Sequence, residues 1–263
     1  MTVDFIITTI NKTKEEILSL LEKTNIKGHI LVGNQGQNEN SCYEINENEY
    51  RASVYNETST GVSLNRNFLL SKSTADFVIF LDDDVVLNNF ISLEDFNSSN
   101  CLAIRYNCAS SNPDRPIKQI LKDKRLKFSD VKSYGVWGIF FNRKYLLNNN
   151  LAFNEEVGPG RYINHGEDTL FLKTYLKSGG KIIQKSKVVF TVSQETSTWK
   201  DGDIERELIS HGFIYKKIFG KIGKFYLYYY CFRHFKEIKK VHPKITFKYA
   251  IRTLKKGFRG EIN

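Results

Sequence analysis

The chain reads as an α/β protein with a basic helical extension at its C-terminal end. Three observations say so. Strand-like and helix-like segments alternate through the first two thirds, an apolar run ends abruptly in three carboxylates, and the last fifty residues are crowded with lysines and aromatics. Strands that alternate with helices argue for a mostly parallel central sheet, Rossmann-like, flanked by helices and joined by right-handed crossovers. At 263 residues, with 41% hydrophobic and 13% aromatic content, the chain suits one large domain, or a domain plus an appendage, and can bury a real core. We place the division between residues 1–200 and 201–263.

The elements follow in order. Residues 3–8 are a β-branched strand. Residues 13–23 carry helical spacing (Ile17, Leu20, Leu21), with Asn11 or Thr13 as the cap. Residues 29–33 and 51–55 read as short strands, 61–71 as a helix, and 77–81 as a strand buried on both faces, because an apolar run of that length is bounded by charge. Residues 102–106 and 136–141 look like strands. The polar, basic stretch between them, 113–133, reads as a loop with at most one short helix. Turns are expected at 148–150 and 157–160. Residues 166–178 have helical spacing (Leu170, Phe171, Tyr175, Leu176) that stops at Gly179 and Gly180, and 187–192 returns as a strand. There is no internal repeat.

Composition narrows the class. No apolar stretch is long enough to span a bilayer, and the N-terminal residues lack the basic start of a signal peptide. Cys42, Cys101, Cys108 and Cys231 have no paired metal-type spacing and read as reduced thiols of a cytosolic protein. The net charge of +10 is uneven: of 39 Lys and Arg and 29 Asp and Glu, residues 212–263 hold 14 and 2, which leaves 25 and 27 for the rest. A near-neutral body with a strongly basic tail points to a polyanionic partner, nucleic acid or an anionic membrane surface.

The segment FVIFLDDDVV (77–86) carries the chemistry. Crowded carboxylates repel one another and are costly to bury unless a cation sits between them. On an extended backbone Asp82 and Asp84 point the same way. That suits a hard divalent ion, since Mg²⁺ typically takes one or two carboxylates plus phosphate oxygens. The plainer alternative is an acidic turn where a strand meets solvent. Ligands of open α/β sheets bind beyond the carboxyl ends of strands, which is where the triplet falls.

Three motifs then occur in order: GVSLNRN (61–67) opening a helix, LDDD (81–84), and HGED (165–168) heading a second helix. In this order they resemble glycosyltransferase family 2, whose members have the GT-A fold. The resemblance covers about the first 195 residues. It implies an inverting, metal-dependent glycosyltransferase of hexosyltransferase type in bacterial capsule or surface-polysaccharide synthesis. A sugar would pass from a nucleotide sugar, UDP-linked by expectation, to a glycan or lipid-linked saccharide. By resemblance, Asp84 binds Mn²⁺ or Mg²⁺, Asp82 contacts the ribose or the metal, and Asp83 lies with the donor. Arg66 lies near the nucleotide, and a surface arginine is the alternative. Thr9 and Asn11, just past the first strand, are the expected nucleotide contacts there.

The acceptor hydroxyl must lose a proton as it attacks, and a carboxylate within hydrogen-bond reach is the usual base. The match gives that role to Asp168, with Glu167 orienting the acceptor or standing second as base. Gly166 is expected to let the acceptor approach the backbone. Ordinary helix-dipole chemistry also favours acids in a first turn. Trp137 falls beside the expected acceptor site, as a stacking platform or a core residue. Two departures stand out. Where many relatives have an acidic pair after the second strand, this chain has VGNQ (32–35), leaving Asn34 to read a uracil edge. Where many place a metal-binding His after the last strand, VFTVSQE (189–195) has none.

The tail has apolar and aromatic residues at helical spacing over 211–240, with lysines between them, and the pattern repeats over 246–256. Basic, aromatic amphipathic helices lie in membrane interfaces. We therefore expect a cytoplasmic protein, peripheral at the inner face of the cell membrane and without a nucleic-acid partner. A helical lid on the main domain is the alternative. Competing functions are a nucleotidyltransferase, which would want a Gly-rich, Lys-bearing phosphate loop that TTINK (8–12) does not supply, and a non-catalytic membrane- or RNA-binding protein.

Overall fold

The structure is a computed structural model that describes residues 1–47, 49–89, 91, 93–96, 102–131, 134–193 and 202–261. In chain order it runs β1 (Val3–Ile10), α1 (Lys14–Thr24), β2 (Gly28–Gln35), β3 (Ser41–Asn46), β4 (Tyr50–Glu57), α2 (Val62–Lys72), β5 (Phe77–Leu81), β6 (Val85–Leu87), β7 (Ala103–Ser110), β8 (Lys124–Arg125), α3 (Phe128–Val131), β9 (Ile139–Asn142), α4 (Arg143–Asn148), α5 (Glu167–Lys177), β10 (Ile182–Val192), α6 (Ile204–Phe219), α7 (Gly223–Val241) and α8 (Phe247–Arg259). Cys101, the Gln194 and Glu195 end of the 189–195 motif, and the expected boundary at residue 200 lie outside the described residues. Among those described, no helix is long and apolar enough to cross a membrane.

One α/β sheet runs β3-β4-β2-β1-β5-β9-β7-β10-β6, with β8 alongside β10. The expected parallel block is β4-β2-β1-β5. β7 and β10 are also parallel, while β9 joins the two halves antiparallel to both neighbours. Strand β3 escaped the sequence reading. It is a largely exposed edge strand that sends only Tyr43 and Ile45 to the core, an alternation too short to stand out among its polar neighbours.

The sheet alternates its side chains between two cores. Phe5, Ile7, Ile30 and Val32 face α1, where Ile17, Leu20 and Leu21 meet them. Ile6, Leu31, Val78 and Phe80 face α2 and α5, where Leu69, Leu70, Phe171 and Leu172 close the other side. Helix α1 starts as expected at Thr13: its hydroxyl accepts from the Glu16 N–H, and the Glu16 carboxylate accepts from the Thr13 N–H.

Among the described residues the tail forms three α-helices, α6, α7 and α8. The periodic stretch at 211–240 is broken at Gly220, whose φ of +59° suits glycine, so α6 and α7 meet at a corner instead of continuing as one helix. α6 and α8 cross at very close range. A Cβ on Gly212 would lie 2.0 Å from the Leu254 carbonyl oxygen, and one on Gly257 would lie 1.9 Å from that of Ile209. Leu208, Leu227, Cys231, Ala250, Leu254 and Phe258 form a separate small core between the helices. Ile209 and Ile214 tie that bundle to Val157, Ile163 and Leu170 beside the head of α5. The tail is thus packed on the α/β body through α6.

Candidate active site

The site grows from the carboxyl ends of β1 and β5 and the first turns of α2 and α5. Strand β5 ends at Leu81 because Asp82 opens a turn, in which the Val85 N–H donates to the Asp82 carbonyl at 3.3 Å. The expectation that Asp82 and Asp84 project side by side from an extended strand is therefore corrected. The turn sends the three carboxylates to three partners. Asp82 Oδ1 accepts from Arg66 Nη2 at 2.9 Å, Asp83 Oδ2 from the Thr9 hydroxyl at 3.2 Å, and Asp84 Oδ2 from the Ser193 hydroxyl at 3.3 Å.

Arg66 is the hub. Its side chain is 2% exposed, and Nη1 donates to Asp168 Oδ1 at 2.7 Å while Nη2 holds Asp82. The guanidinium also lies 5.3 Å from the centre of the Phe153 ring, and its Nε is buried without a partner. This is no surface arginine. Burial works against its charge, but Asp168, Asp82 and Glu167 more than offset that and hold it firmly protonated. Three motifs far apart in sequence are thereby joined by two charge-assisted hydrogen bonds.

Around Arg66 the carboxylates outnumber the cation. Nearly half of the Asp82 side chain is exposed, yet desolvation by the surrounding protein pushes its pKa up to about 6, with Arg66 opposing and Asp168, Asp84 and Asp83 adding to the rise. Glu167 sits against the turn at Gly158, where a Cβ would come within 3.2 Å of its Cγ. Burial first, then the charge of Asp168, raises the Glu167 carboxyl to about 8. Asp168 is fixed at both oxygens, since Oδ2 also accepts from the Val136 N–H at 3.1 Å. Trp137 is half-buried beside it: the indole fills the space where a Cβ on Gly135 would lie, and that same point is 3.1 Å from Asp168 Oδ2.

Two expected contacts are corrected. Asn34 is 1% exposed, and its amide is spent internally: Oδ1 accepts from the Lys12 N–H at 3.0 Å, and Nδ2 donates to the Lys12 carbonyl at 2.8 Å and to Asn56 Oδ1 at 2.9 Å. It braces the loop after β1 and has no amide edge left for a base. Gly166 does not open room for an acceptor, because the place of its Cβ is filled by Ile214 of α6 at 2.6 Å. Its φ of +96° is what requires glycine. Thr9 is buried behind Asp83, while Asn11, at φ +52°, is exposed on the rim.

The sequence reading missed Gln35, whose Oε1 accepts from the Gly61 N–H at 2.6 Å and fixes the start of α2. It also missed Gly33, which leaves space for the Asn65 amide. A buried Gln at a strand end and a Gly opposite a helix are the signals that were present.

Among the described residues no three His, Cys, Asp or Glu side chains converge as a closed metal cage would. Asp82 and Asp84 supply carboxylate oxygens, the donor type that hard divalent ions take.

Solved structures share this architecture. Residues 1–349 of S. aureus TarS in complex with UDP-GlcNAc align over 100% of this chain and 82% of that one, with a TM-score of 0.64 at 17% identity. The same portion in complex with UDP gives 0.60 at 17% identity and the same coverage. A structure of S. aureus TarS aligns at 0.55 and 18% identity over 89% of this chain and 44% of that one. The shared architecture is the GT-A glycosyltransferase fold. No protein-family model and no curated protein matches the sequence.

Proposed function

We propose that the chain is a glycosyltransferase that moves a sugar from a nucleotide sugar, with UDP as the expected nucleotide, onto a saccharide or lipid-linked saccharide of the bacterial surface. The observation that carries this reading is the Asp82–Arg66–Asp168 bridge, which gathers three dispersed motifs at the mouth of a GT-A sheet. That S. aureus TarS, of like fold, is solved with UDP-GlcNAc supports the choice of donor.

Each residue then has a chemical task. Asp84 and Asp82 would hold Mn²⁺ or Mg²⁺, which neutralises the charge that grows on the diphosphate as it leaves. Thr9 holds Asp83 in place at the edge of the donor cleft. Arg66 Nη1 and the Val136 N–H orient Asp168, which takes the proton of the attacking hydroxyl. Glu167, mostly protonated at neutral pH, donates a hydrogen bond that aligns the acceptor, and Trp137 offers its indole face to a sugar ring. A single base opposite the leaving group makes the transfer inverting.

Thermal shift with UDP and Mn²⁺ tests the donor half, since a ligand that binds the folded state raises its stability by mass action. Asp84→Asn should abolish the shift. Asp168→Asn should keep it and end turnover on a panel of nucleotide sugars, and near-normal turnover in that variant would refute the base assignment. A nucleotidyltransferase would instead release pyrophosphate from a nucleoside triphosphate.

A further inference from the structure

We infer that the outer face of α7 is a docking surface for an anionic lipid bilayer and holds the acceptor side of the site at that surface. Helix α7 is apolar on two opposite sides. One side, with Leu227, Cys231 and Ile238, is buried against α6 and α8. The opposite side carries Phe225, Tyr229 and Phe232, exposed at 76%, 60% and 83%, and Ile222 of the turn just before α7, exposed at 64%, continues the row at a spacing of three or four. No described residue covers them. A helix that buries one face normally turns polar residues to water on the other, and contiguous exposed apolar patches mark interaction sites.

Charge selects the occupant. Lys236 and Lys240 extend the same stripe toward the C-terminal end of α7, and Lys221, Arg233 and Lys239 flank it; all five are exposed. Lys255 of α8 adds to the edge, with Nζ 5.0 Å from the centre of the Tyr228 ring. The only acid on α7 is Glu237. With 14 bases against 2 acids in residues 212–263, a second copy laid face to face would meet its own charge, whereas an anionic bilayer accepts rings and lysines together.

The surface is also connected to the chemistry. The inner face of α7 meets α6 through His211 and Tyr230, whose ring centres are 4.2 Å apart. His211 Nδ1 lies 3.2 Å from Nε2 of His165, which opens the HGED motif. Ile214 of α6 fills the space at Gly166. Docking through α7 would therefore set the acceptor end of the cleft one helix away from the lipid headgroups.

The test is co-sedimentation of the whole chain with mixed phosphatidylglycerol–phosphatidylcholine vesicles and with pure phosphatidylcholine vesicles, at low and high salt. We expect partition to the anionic vesicles, weakened by salt and by Lys236→Glu/Lys240→Glu. In Phe225→Ser/Phe232→Ser partition should fall about tenfold per ring removed, with an unchanged circular dichroism spectrum. Partition equal on neutral vesicles, or unchanged in either variant, overturns the proposal. So does a wild-type dimer by light scattering that the serine pair dissolves. Should the serine pair misfold, the charge-reversed pair decides alone. The assay contains neither donor nor acceptor, so its failure leaves the transferase reading standing, and failure of that reading leaves this one.

Discussion

Replacing Arg66 by leucine removes the cation while keeping an apolar side chain of similar reach. Arg66 is 2% exposed and Asp168 19%, so that pair is close to fully desolvated, whereas Asp82 keeps 47% of its surface. Stranding a buried carboxylate by deleting its partner typically costs about 3–5 kcal/mol, and the exposed Asp82 contact adds under about 1 kcal/mol after solvent screening. We expect a loss of about 3 kcal/mol at pH 7.5, or a fall of about 6–12 °C in Tm for a chain of this size. The loss should shrink toward pH 4. Without the arginine the charge that opposes the rise at Asp82 is gone, so that carboxyl binds its proton more tightly in the folded state, and stability is recovered by protonation and lost as pH rises. Urea denaturation at both pH values measures this, with donor-dependent turnover read alongside. A loss under about 1 kcal/mol, or one independent of pH, would show that Arg66 does not balance a charged site and would remove the basis for Asp168 as an oriented base.

The other consequences are more compact. Glu167 has its pKa raised from 4.5 to about 8, so in the wild type its contribution declines as pH rises through that window. Glu167→Gln should flatten that part of the stability profile and remove the alkaline fall in activity near its upper end. Asp82, raised from 3.8 to about 6, must shed its proton to face a metal. Mn²⁺ affinity measured by calorimetry should therefore climb through that range and level off above it, and Asp82→Asn should abolish the climb. Gly257→Ala forces a methyl group to within 1.9 Å of the Ile209 carbonyl oxygen. It should cost about 1–3 kcal/mol by parting α6 from α8, visible as a lower melting temperature with little change in UDP affinity.

Much of the body was legible because its signals are local. The run at 77–81, the Thr13 cap and the Gly179–Gly180 stop each fix an element from a few neighbouring residues, and each element is present. The ordered motifs led to the GT-A fold that the structure shares with S. aureus TarS. Strand β3 was not legible, since only Tyr43 and Ile45 alternate toward the core and the rest of the strand rests on pairing with β4. The 211–240 stretch was misread as one helix because periodicity survives a corner that a single glycine makes.

Sequence by itself determined that carboxylates crowd a strand end, that two acids open a later helix, that an arginine lies ahead of both in the chain, and that the tail is basic and aromatic. Tertiary structure alone decided what those groups touch. It bent the Asp triplet into a turn, sank Arg66 between Asp82 and Asp168, spent the Asn34 amide on the chain itself, and filled the gap at Gly166 with Ile214. The reason is that charge and periodicity are properties of a residue and its neighbours along the chain. Hydrogen-bond partners and burial depend instead on what packing brings across from distant segments, and for an ionisable group that partner sets its charge state.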